Sequence, residues 1–373
     1  MAVILDKGWG RYPEAKIKLS KNEEDRAMGL HEKSLVFDLH MHSLGLPKKH
    51  EDFHDWFESY RPAINFEGLR KGGIDACFDG ISSISQFYTK WDFDGVIREV
   101  ALRMADVDHN YDAVIRGLRA QDATIAKKEG KTALFGFIEN AGEIGYDLDK
   151  LDFLYGMGIR GLTLAYNRRN QIASGRTDKI DAGLSDFGLE VVARMNEIGM
   201  IIDSSHASAN TGIDAAKASK DPIIHSHGGA QGVYPTSKRM MPDAEIQAIA
   251  EKGGIIGIHT GPNAISDAKR QTIDDVMKHL GYIVKLVGVD YACMGTDNFF
   301  GDKNFLHEYA IKESPGAGIG KYLKFNATHI EGFENPTEWP NISRALVKEG
   351  YSDQEIQKII GLNTLRVTKK VVG

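Results

Sequence analysis

Eight short apolar runs recur along this 373-residue chain, and helix-like stretches separate them. The runs are rich in Ile, Val, Leu, Phe and Gly without strict polar alternation, which is typical of strands buried on both faces. Repeated strand–helix units predict a parallel sheet, and eight units predict its closure into a distorted (β/α)₈ TIM barrel of the α/β class. We place the strands near residues 34–40, 73–79, 133–139, 159–165, 200–205, 222–226, 254–259 and 291–296.

Helix-like stretches follow several of these strands. Residues 186–198, 243–252 and 272–287 are each followed by glycine, the residue that commonly ends a helix. The longer stretch 94–130 has apolar residues at helical spacing, which predicts one or two helices. The predicted helices therefore fall between the predicted strands, as a barrel of this class requires.

The whole chain, residues 1–373, is predicted to form a single catalytic barrel domain. Residues 1–33 are mostly polar and form an N-terminal arm or helix. The polar, glycine-rich stretch 167–185 is predicted to be a long loop on the active face. Residues 298–335 form an irregular insertion near that face, with Ser-Pro-Gly-Ala-Gly at 314–318 as its turn-forming centre, and residues 340–373 form a C-terminal helical segment.

Composition narrows the functional classes. The contents of 42% hydrophobic and 26% charged residues suit a soluble globular protein, and a net charge of −6 without a basic stripe argues against nucleic-acid binding. The first residues have too short an apolar stretch for a signal peptide, and no apolar run is long enough to span a bilayer. The two cysteines, Cys77 and Cys293, lie in apolar runs and indicate no disulfide framework. We therefore expect a cytoplasmic protein without a membrane or nucleic-acid partner.

Six side chains of the metal-binding type lie at the ends of five predicted strands. In an eight-stranded barrel, the carboxyl ends of all strands open onto one face, so residues that are distant in sequence would meet there. Histidines and carboxylates that meet in this way are the ligands that a hydrolytic metal centre needs. The residues are His40, His42, Glu139, His206, His227 and Asp297.

Each of these residues also has an ordinary structural interpretation. Thirteen histidines make a chance His-x-His pair common, and residues 225–227 contain a second one. A lone Glu139 would usually be a solvated loop residue, and a lone Asp297 would usually cap a turn. We assign His225 to the core or to the layer behind the ligands. The metal interpretation rests on the whole set, because independent structural residues have no reason to fall at the same end of different strands.

Several stretches resemble the membrane (renal-type) dipeptidase family, whose members are metal-dependent hydrolases on an amidohydrolase-like barrel. The sequences Gly-Leu-Glu-Val-Val at 188–192 and Met-Asn-Glu-Ile-Gly-Met-Ile-Ile-Asp-Ser-Ser-His at 195–206 are similar to the family signature around its fifth strand. Pro-Ile-Ile-His-Ser-His at 222–227 is similar to the signature that follows. The same template continues through residues 240–257, 281–297 and 350–366, so the resemblance runs from about residue 36 to 367.

The resemblance implies a metallo-dependent hydrolase barrel that holds two zinc ions. Glu139 and a water or hydroxide would bridge the ions, and the bridging hydroxide would be the nucleophile. One ion would take His40 and His42, and the other would take His206 and His227. Manganese or cobalt would accept the same ligands.

The resemblance also implies the residues that handle substrate. Asp297 would act as the general base and later as the proton donor to the leaving amine. Arg239 would bind the free carboxylate of a small-molecule substrate, for which its bidentate fork is suited. The family further suggests a homodimer.

Two positions depart from the family pattern. His42 stands where the family usually has aspartate, so the site keeps a ligand but loses one negative charge. Tyr166 stands where the best-known members have a histidine that contacts the substrate carbonyl, and a phenol can still donate a hydrogen bond to a developing oxyanion. Both changes bear more on the choice of substrate than on hydrolysis itself.

These observations predict a hydrolase that cleaves the amide bond of a dipeptide or a related small N-acyl amino acid. A second hypothesis keeps the same metal site but gives it a lactone, a cyclic amide or another small ester, for which Arg239 would have little use. A third hypothesis, supported by the altered first motif, is a non-catalytic barrel that serves as a binding or assembly subunit. Fold alone would not exclude it, since barrels host many functions.

Overall fold

The computed structural model describes residues 3–13, 15, 17–59, 63–81, 92–313, 318–321 and 323–373, with backbone alone at 57–59. Within them, parallel strands form the predicted eight-stranded barrel. The barrel strands, β1 to β8, span Phe37–Met41, Ala76–Ile81, Thr132–Ile138, Ile159–Thr163, Ile201–Asp203, Ile224–Gly228, Ile255–Ile258 and Ala292–Met294. All eight predicted strands are confirmed, with ends that shift by a few residues.

The strands follow one another around the barrel in sequence order. The seam between β8 and β1 closes just beyond the strand ends. There the backbone N–H of Asp297 donates to the carbonyl of His40 at 2.7 Å, and the N–H of His42 donates to the carbonyl of Asn298 at 3.0 Å. The seam therefore brings candidate site residues from the two ends of the sheet into direct contact.

Aromatic side chains fill the barrel beneath its carboxyl-terminal mouth. The ring of Phe37 stacks on those of Phe78 and Phe135, with centroids 5.5 and 5.2 Å apart. Phe137 meets His40 edge to face at 5.1 Å. The interior is thus a packed core, and its upper layer forms the floor of the candidate site.

Helices surround the barrel, and part of the N-terminal arm is helical. Its helix begins after Ser20, whose side chain forms a capping box with Glu23. The helices predicted at 186–198, 243–252 and 272–287 are confirmed to within one residue. The α-helices span Lys21–Lys33, Phe53–Ser59, Phe66–Lys71, Phe93–His109, Ala120–Glu129, Asp149–Gly156, Asp186–Ile198, Ala209–Ala218, Asp243–Glu251, Ile273–Val287, Lys303–Glu313, Trp339–Lys348, Asp353–Gln357 and Asn363–Val371, and a π-helical turn at Lys358–Leu362 joins the last two.

Two stretches differ from the sequence prediction. The stretch 94–130 holds two helices, but a short strand, Val114–Arg116, lies between them and pairs with β3. The stretch 298–335 was predicted to be irregular, and this was wrong for the helix Lys303–Glu313. The buried face of that helix comprises Lys303, Leu306 and Ala310, too short a stripe for periodicity to detect. Most of the predicted turn centre, residues 314–317, lies outside the described residues.

The stretch 167–185 forms the predicted loop without a helix or a regular strand. Among the helices that the structure describes, none combines the length and the apolar character that crossing a membrane requires.

Candidate metal centre

His40 and His42 lie at the end of β1, where the pairing register with β2 shifts. The buried carboxylate of Asp38 accepts hydrogen bonds from the backbone N–H of His40 at 3.1 Å and of Thr296 at 3.0 Å, which ties β1 to β8. His42 Nδ1 lies 3.1 Å from the carbonyl oxygen of Gly80. Donation to that carbonyl assigns the proton to Nδ1 and leaves Nε2 as the atom that faces the site.

Glu139 directly follows β3 and is 3% exposed. Its Oε1 lies 2.9 Å from His40 Nε2 and 3.9 Å from His206 Nε2. Burial lowers the pKa of His40, but the carboxylates of Glu139, Asp297 and Asp203 together outweigh burial, and the pKa is raised above its usual value. Glu139 therefore stands between histidines of two different strands, a position from which its two oxygens could serve two cations.

His206 follows β5, and His227 lies within β6. Their Nε2 atoms face each other at 2.8 Å. Each Nδ1 has another partner, the Asn167 Oδ1 at 3.0 Å for His206 and the Ser226 Oγ at 2.9 Å for His227. Burial is the main cause that lowers the pKa of both histidines well below the usual value, so both rings are neutral at pH 7. Neutral imidazole is the form that binds a metal ion.

The ends of β5 and β6 are fixed by the fully buried carboxylate of Asp203. It accepts bonds from the backbone N–H of Ser205 at 3.0 Å and of Ser226 at 2.7 Å. It also accepts bonds from the hydroxyls of Ser226 at 2.9 Å and Thr163 at 2.6 Å. This network explains why small hydroxyl residues precede the two histidines, and it holds their backbone in place.

Asp297 follows β8 and lies at the centre of a charged cluster. Its Oδ1 is 3.2 Å from His42 Nε2, and its Oδ2 is 2.9 Å from both His259 Nε2 and Lys303 Nζ. Burial alone would raise the pKa of Asp297, but Lys303 and the surrounding histidines hold it well below its usual range. The carboxylate is therefore ionised at neutral pH and chemically able to accept a proton.

Three residues around the site adopt left-handed backbone conformations that side chains other than glycine rarely adopt. The φ angles are 62° at His206, 48° at Asp297 and 57° at Asn167. Each such conformation costs about 1–3 kcal/mol and persists only where the surroundings impose it. The surroundings therefore hold these three side chains in place although the backbone is strained, as is common at functional sites.

Arg239 and Tyr166, the two predicted substrate residues, both reach this pocket. Arg239 is 1% exposed, and its Nη2 donates to the carbonyl of His227 at 2.8 Å and to the Ser205 hydroxyl at 3.3 Å. The ring of Tyr166 stacks on His206 with centroids 4.1 Å apart. Every candidate residue predicted from the sequence is thus assembled at one end of the barrel.

The donor atoms fit divalent metal ions. Ligand atoms of His40, Glu139, His227 and Asp297 all lie within 4.8 Å of one another. Neither ring nitrogen of His40 makes a hydrogen bond of good geometry, although buried polar atoms nearly always do. Histidine nitrogens and carboxylate oxygens in this arrangement are ligands for zinc and similar metals. The donor group also includes Asp297, which we predicted to be a proton carrier and not a ligand.

A narrow cavity of about 20 Å³, room for little more than a water molecule, opens above these donors. Its described lining combines the site residues with an apolar wall and comprises His42, Glu139, Tyr166, His206, Arg239, His259, Ala264, Asp297, Phe299, Leu306, His307 and Leu323.

Sequence reasoning missed three polar residues of the site. His259 directly follows β7, so the strand-end rule applied to the other ligands would have found it. Lys303 and His307 come from the helix that was not predicted, and no sequence signal marked them. Burial, with Lys303 as the next contributor, lowers the pKa of His259 to about 4 and that of His307 to about 3, so both are neutral at pH 7.

His225 belongs to a separate buried group. Its Nδ1 lies 3.1 Å from the Ser204 hydroxyl and 3.5 Å from Glu245 Oε1. Glu245 in turn pairs with both terminal nitrogens of Arg176, each at 2.8 Å. This agrees with the core assignment of His225 and separates it from the candidate ligands.

The chain is similar to known proteins of one family. The model of the family described as membrane dipeptidase (peptidase family M19) matches residues 24–308 and 317–372. The dipeptidase tcpJ of Claviceps purpurea is 28% identical over 256 residues, which are 68% of this chain and 54% of that protein. The chain thus matches about half the length of that relative.

Solved structures show the same fold. The amidohydrolase from Pseudomonas aeruginosa aligns with a TM-score of 0.78 and 26% identity, over 92% of this chain and 98% of that one. The metallopeptidase from Rhodobacter sphaeroides, solved with a phosphinate mimic of the dipeptide L-Ala-D-Ala, aligns with a TM-score of 0.72 over 91% of this chain and 100% of that one. Its 18% identity supports the fold alone.

Proposed function

Because the chain belongs to the membrane dipeptidase family, we propose that it binds two zinc ions and hydrolyses the amide bond of dipeptides or related small N-acyl amino acids. Family membership makes the chain a metal-dependent, dipeptidase-like hydrolase. The number and identity of the ions and the substrate are the proposal.

The proposal rests on one observation: two pairs of buried metal-donor atoms point into the same space. His40 Nε2 and Glu139 Oε1 lie 2.9 Å apart, and His206 Nε2 and His227 Nε2 lie 2.8 Å apart. Asn167 Oδ1 accepts from His206 Nδ1, and the Ser226 hydroxyl, which donates to Asp203, accepts from His227 Nδ1, so both Nε2 atoms face each other with unprotonated lone pairs. A cation between such atoms would satisfy them, which favours a metal site over a structural hydrogen-bond network.

We assign His40 and His42 to one ion, His206 and His227 to the other, and Glu139 to both. When bound, such ions polarise a scissile carbonyl and lower the pKa of a water molecule to about 7. Hydrogen bonds from Nδ1 of the ligand rings to backbone and side-chain acceptors keep Nε2 unprotonated for this purpose.

The other residues act on the substrate and its protons. Asp297, ionised and at the edge of the ligand group, takes a proton from the attacking water and passes it to the leaving amine. Arg239 binds the carboxylate of the substrate, since its guanidinium lines the cavity. Tyr166, whose ring stacks on His206, would donate a hydrogen bond to the tetrahedral oxygen.

Two alternatives to this function were proposed from the sequence, a non-catalytic subunit and a hydrolase of lactones or cyclic amides. Family membership and the assembled ligand set disfavour the non-catalytic subunit. The lactone or cyclic-amide substrate remains the rival, and the burial of Arg239 inside the cavity favours a substrate with a carboxylate over it. The homodimer and the cytoplasmic location remain predictions. Cys77 and Cys293 are both buried, and neither forms a disulfide bond.

The test is a hydrolysis screen on the metal-replete protein, with metal per chain measured by inductively coupled plasma mass spectrometry. The panel holds L,L- and L,D-dipeptides, N-acyl amino acids and a few lactones. We expect two zinc ions per chain and cleavage of amide substrates that carry a free carboxylate. Well under one metal ion per chain, or cleavage of lactones alone, would overturn the proposal.

A matched pair of variants supports the screen. Glu139→Gln should lose both bound metal and activity, because an amide cannot serve two cations as a carboxylate does. Glu143→Gln is the control, since Glu143 is also a mostly buried acid but lies in the neighbouring turn and bonds Asn140 at 3.0 Å. Equal metal content in the two variants would count against the role of Glu139.

A further inference from the structure

The cavity holds two carboxylates among its described lining residues, Glu139 and Asp297. Both are already engaged. Glu139 faces His40 at 2.9 Å and is assigned to both ions, and the charge of Asp297 is balanced by Lys303 at 2.9 Å. Neither acid therefore leaves an uncompensated negative charge for a cationic group of a substrate.

His42 lies at the same strand end as His40 and lines the cavity. This side chain is 1% exposed and contributes no negative charge. Lys303, 4% exposed, adds a positive charge beside Asp297, and Arg239 adds another within the cavity. The described charges of the site therefore favour an anionic ligand and disfavour a cationic one.

The rest of the lining is neutral. Ala264, Phe299, Leu306 and Leu323 are all buried and contribute an apolar wall. His259 and His307, which also line the cavity, are neutral and offer no charge to an ammonium group. An ammonium placed against this lining would lose part of its hydration without a charged partner, which is unfavourable.

We propose that the substrate is an N-acyl amino acid whose acyl end carries no free amino group, and not a dipeptide with a free α-ammonium. The apolar wall takes the acyl chain, and Arg239 takes the carboxylate. Water adds across the amide, the C–N bond breaks, and the products are a carboxylic acid and a free amino acid. This inference rests on the proposed function, because it assigns a substrate class to the same metal site.

The experiment compares two substrates that differ in a single group. L-alanyl-L-alanine carries an ammonium where N-propionyl-L-alanine carries hydrogen, and the pair is repeated with D-alanine at the carboxyl end. The metal-replete protein should cleave the propionyl compound with a kcat/KM at least about tenfold higher, since one unpaired buried charge easily exceeds that threshold. Equal rates, or faster cleavage of the dipeptide, would overturn the inference and leave the proposed function standing.

Cleavage of neither compound, nor of the same pair built on other amino acids, would overturn the proposed function and this inference with it. The two failures are therefore distinguishable. Cleavage of the dipeptide but not of the propionyl compound would contradict the proposed substrate class and leave the proposed function standing.

Lys303 supplies a second readout. Lys303→Met removes the cation that occupies Asp297, so the ratio of dipeptide to propionyl kcat/KM should rise by about fivefold or more even if total activity falls. Lys312→Met is the matched control, because Lys312 lies on the same helix and its side chain is 80% exposed. An unchanged ratio in the Lys303 variant, with thermal melting showing that it is folded, would refute the part assigned to Lys303.

Discussion

Replacing Gly80 with alanine should disable the metal centre while the barrel stays folded. A Cβ at this position in β2 would lie 2.3 Å from Cε1 and 2.5 Å from Nδ1 of His42, and 3.2 Å from Cε1 of His40. Ordinary van der Waals contact begins at 3.4 Å, so the His42 ring must move by about 1 Å. The Gly80 carbonyl also accepts from His42 Nδ1 at 3.1 Å, so the same shift disturbs the bond that orients the ring.

The size of the effect follows from that displacement. Overpacking of a buried site lowers the free energy of unfolding by about 1–3 kcal/mol, which a barrel of this size tolerates. A misplacement of about 1 Å at catalytic groups lowers activity by about 100-fold. We therefore expect a variant that melts cooperatively a few degrees lower, holds less metal per chain and has about 1% of the wild-type kcat/KM.

The measurements are metal content, thermal melting and hydrolysis of the best substrate from the screen. Gly281→Ala is the control, because a Cβ there meets nothing within 4 Å and the residue lies inside the helix Ile273–Val287. That substitution should keep full activity and stabilise the protein by up to about 1 kcal/mol. If Gly80→Ala instead keeps full metal content and activity, the packing argument for His42 as a ligand is refuted.

Three further predictions concern the surroundings of the site. Asp297→Asn should leave metal per chain unchanged and lower kcat by about 10²- to 10⁴-fold, and a parallel loss of metal would make Asp297 a ligand instead of a proton carrier. Asn167→Gly keeps a residue that tolerates positive φ but removes the acceptor at His206 Nδ1. Chelator competition should therefore show metal binding weakened by about 10- to 100-fold in Kd. An unchanged Kd would contradict this. Arg176→Met leaves Glu245 buried without its cation, so urea unfolding should show a loss of about 3–5 kcal/mol at unchanged metal content, and a loss below about 1 kcal/mol would argue against this buried pair.

The barrel could be predicted from sequence because each buried strand is a compact apolar run with its own helix. The placement of His40, Glu139 and His227 followed from the same rule, since side chains at strand ends share one face. The rule also covers His259, which follows β7, and it was not applied there. For residues on strands, the sequence therefore carries most of the information about position.

Contacts made by the helix Lys303–Glu313 could not be predicted in this way. Its short apolar stripe gives no periodic signal, and the pairing of Lys303 with Asp297 depends on tertiary packing. The left-handed backbone at His206 is likewise imposed by its surroundings. A sequence shows that acids are present at a site, but only coordinates show which of them are already paired.

Anomalous diffraction from crystals of the zinc-replete protein, collected across the zinc absorption edge, tests the central claim most directly. We expect two peaks, with oxygens of Glu139 at about 2.0–2.2 Å from both. One peak should be bound by His40 and His42, and the other by His206 and His227. A site without anomalous signal, or a single ion that leaves the second histidine pair bonded only to each other, would contradict it.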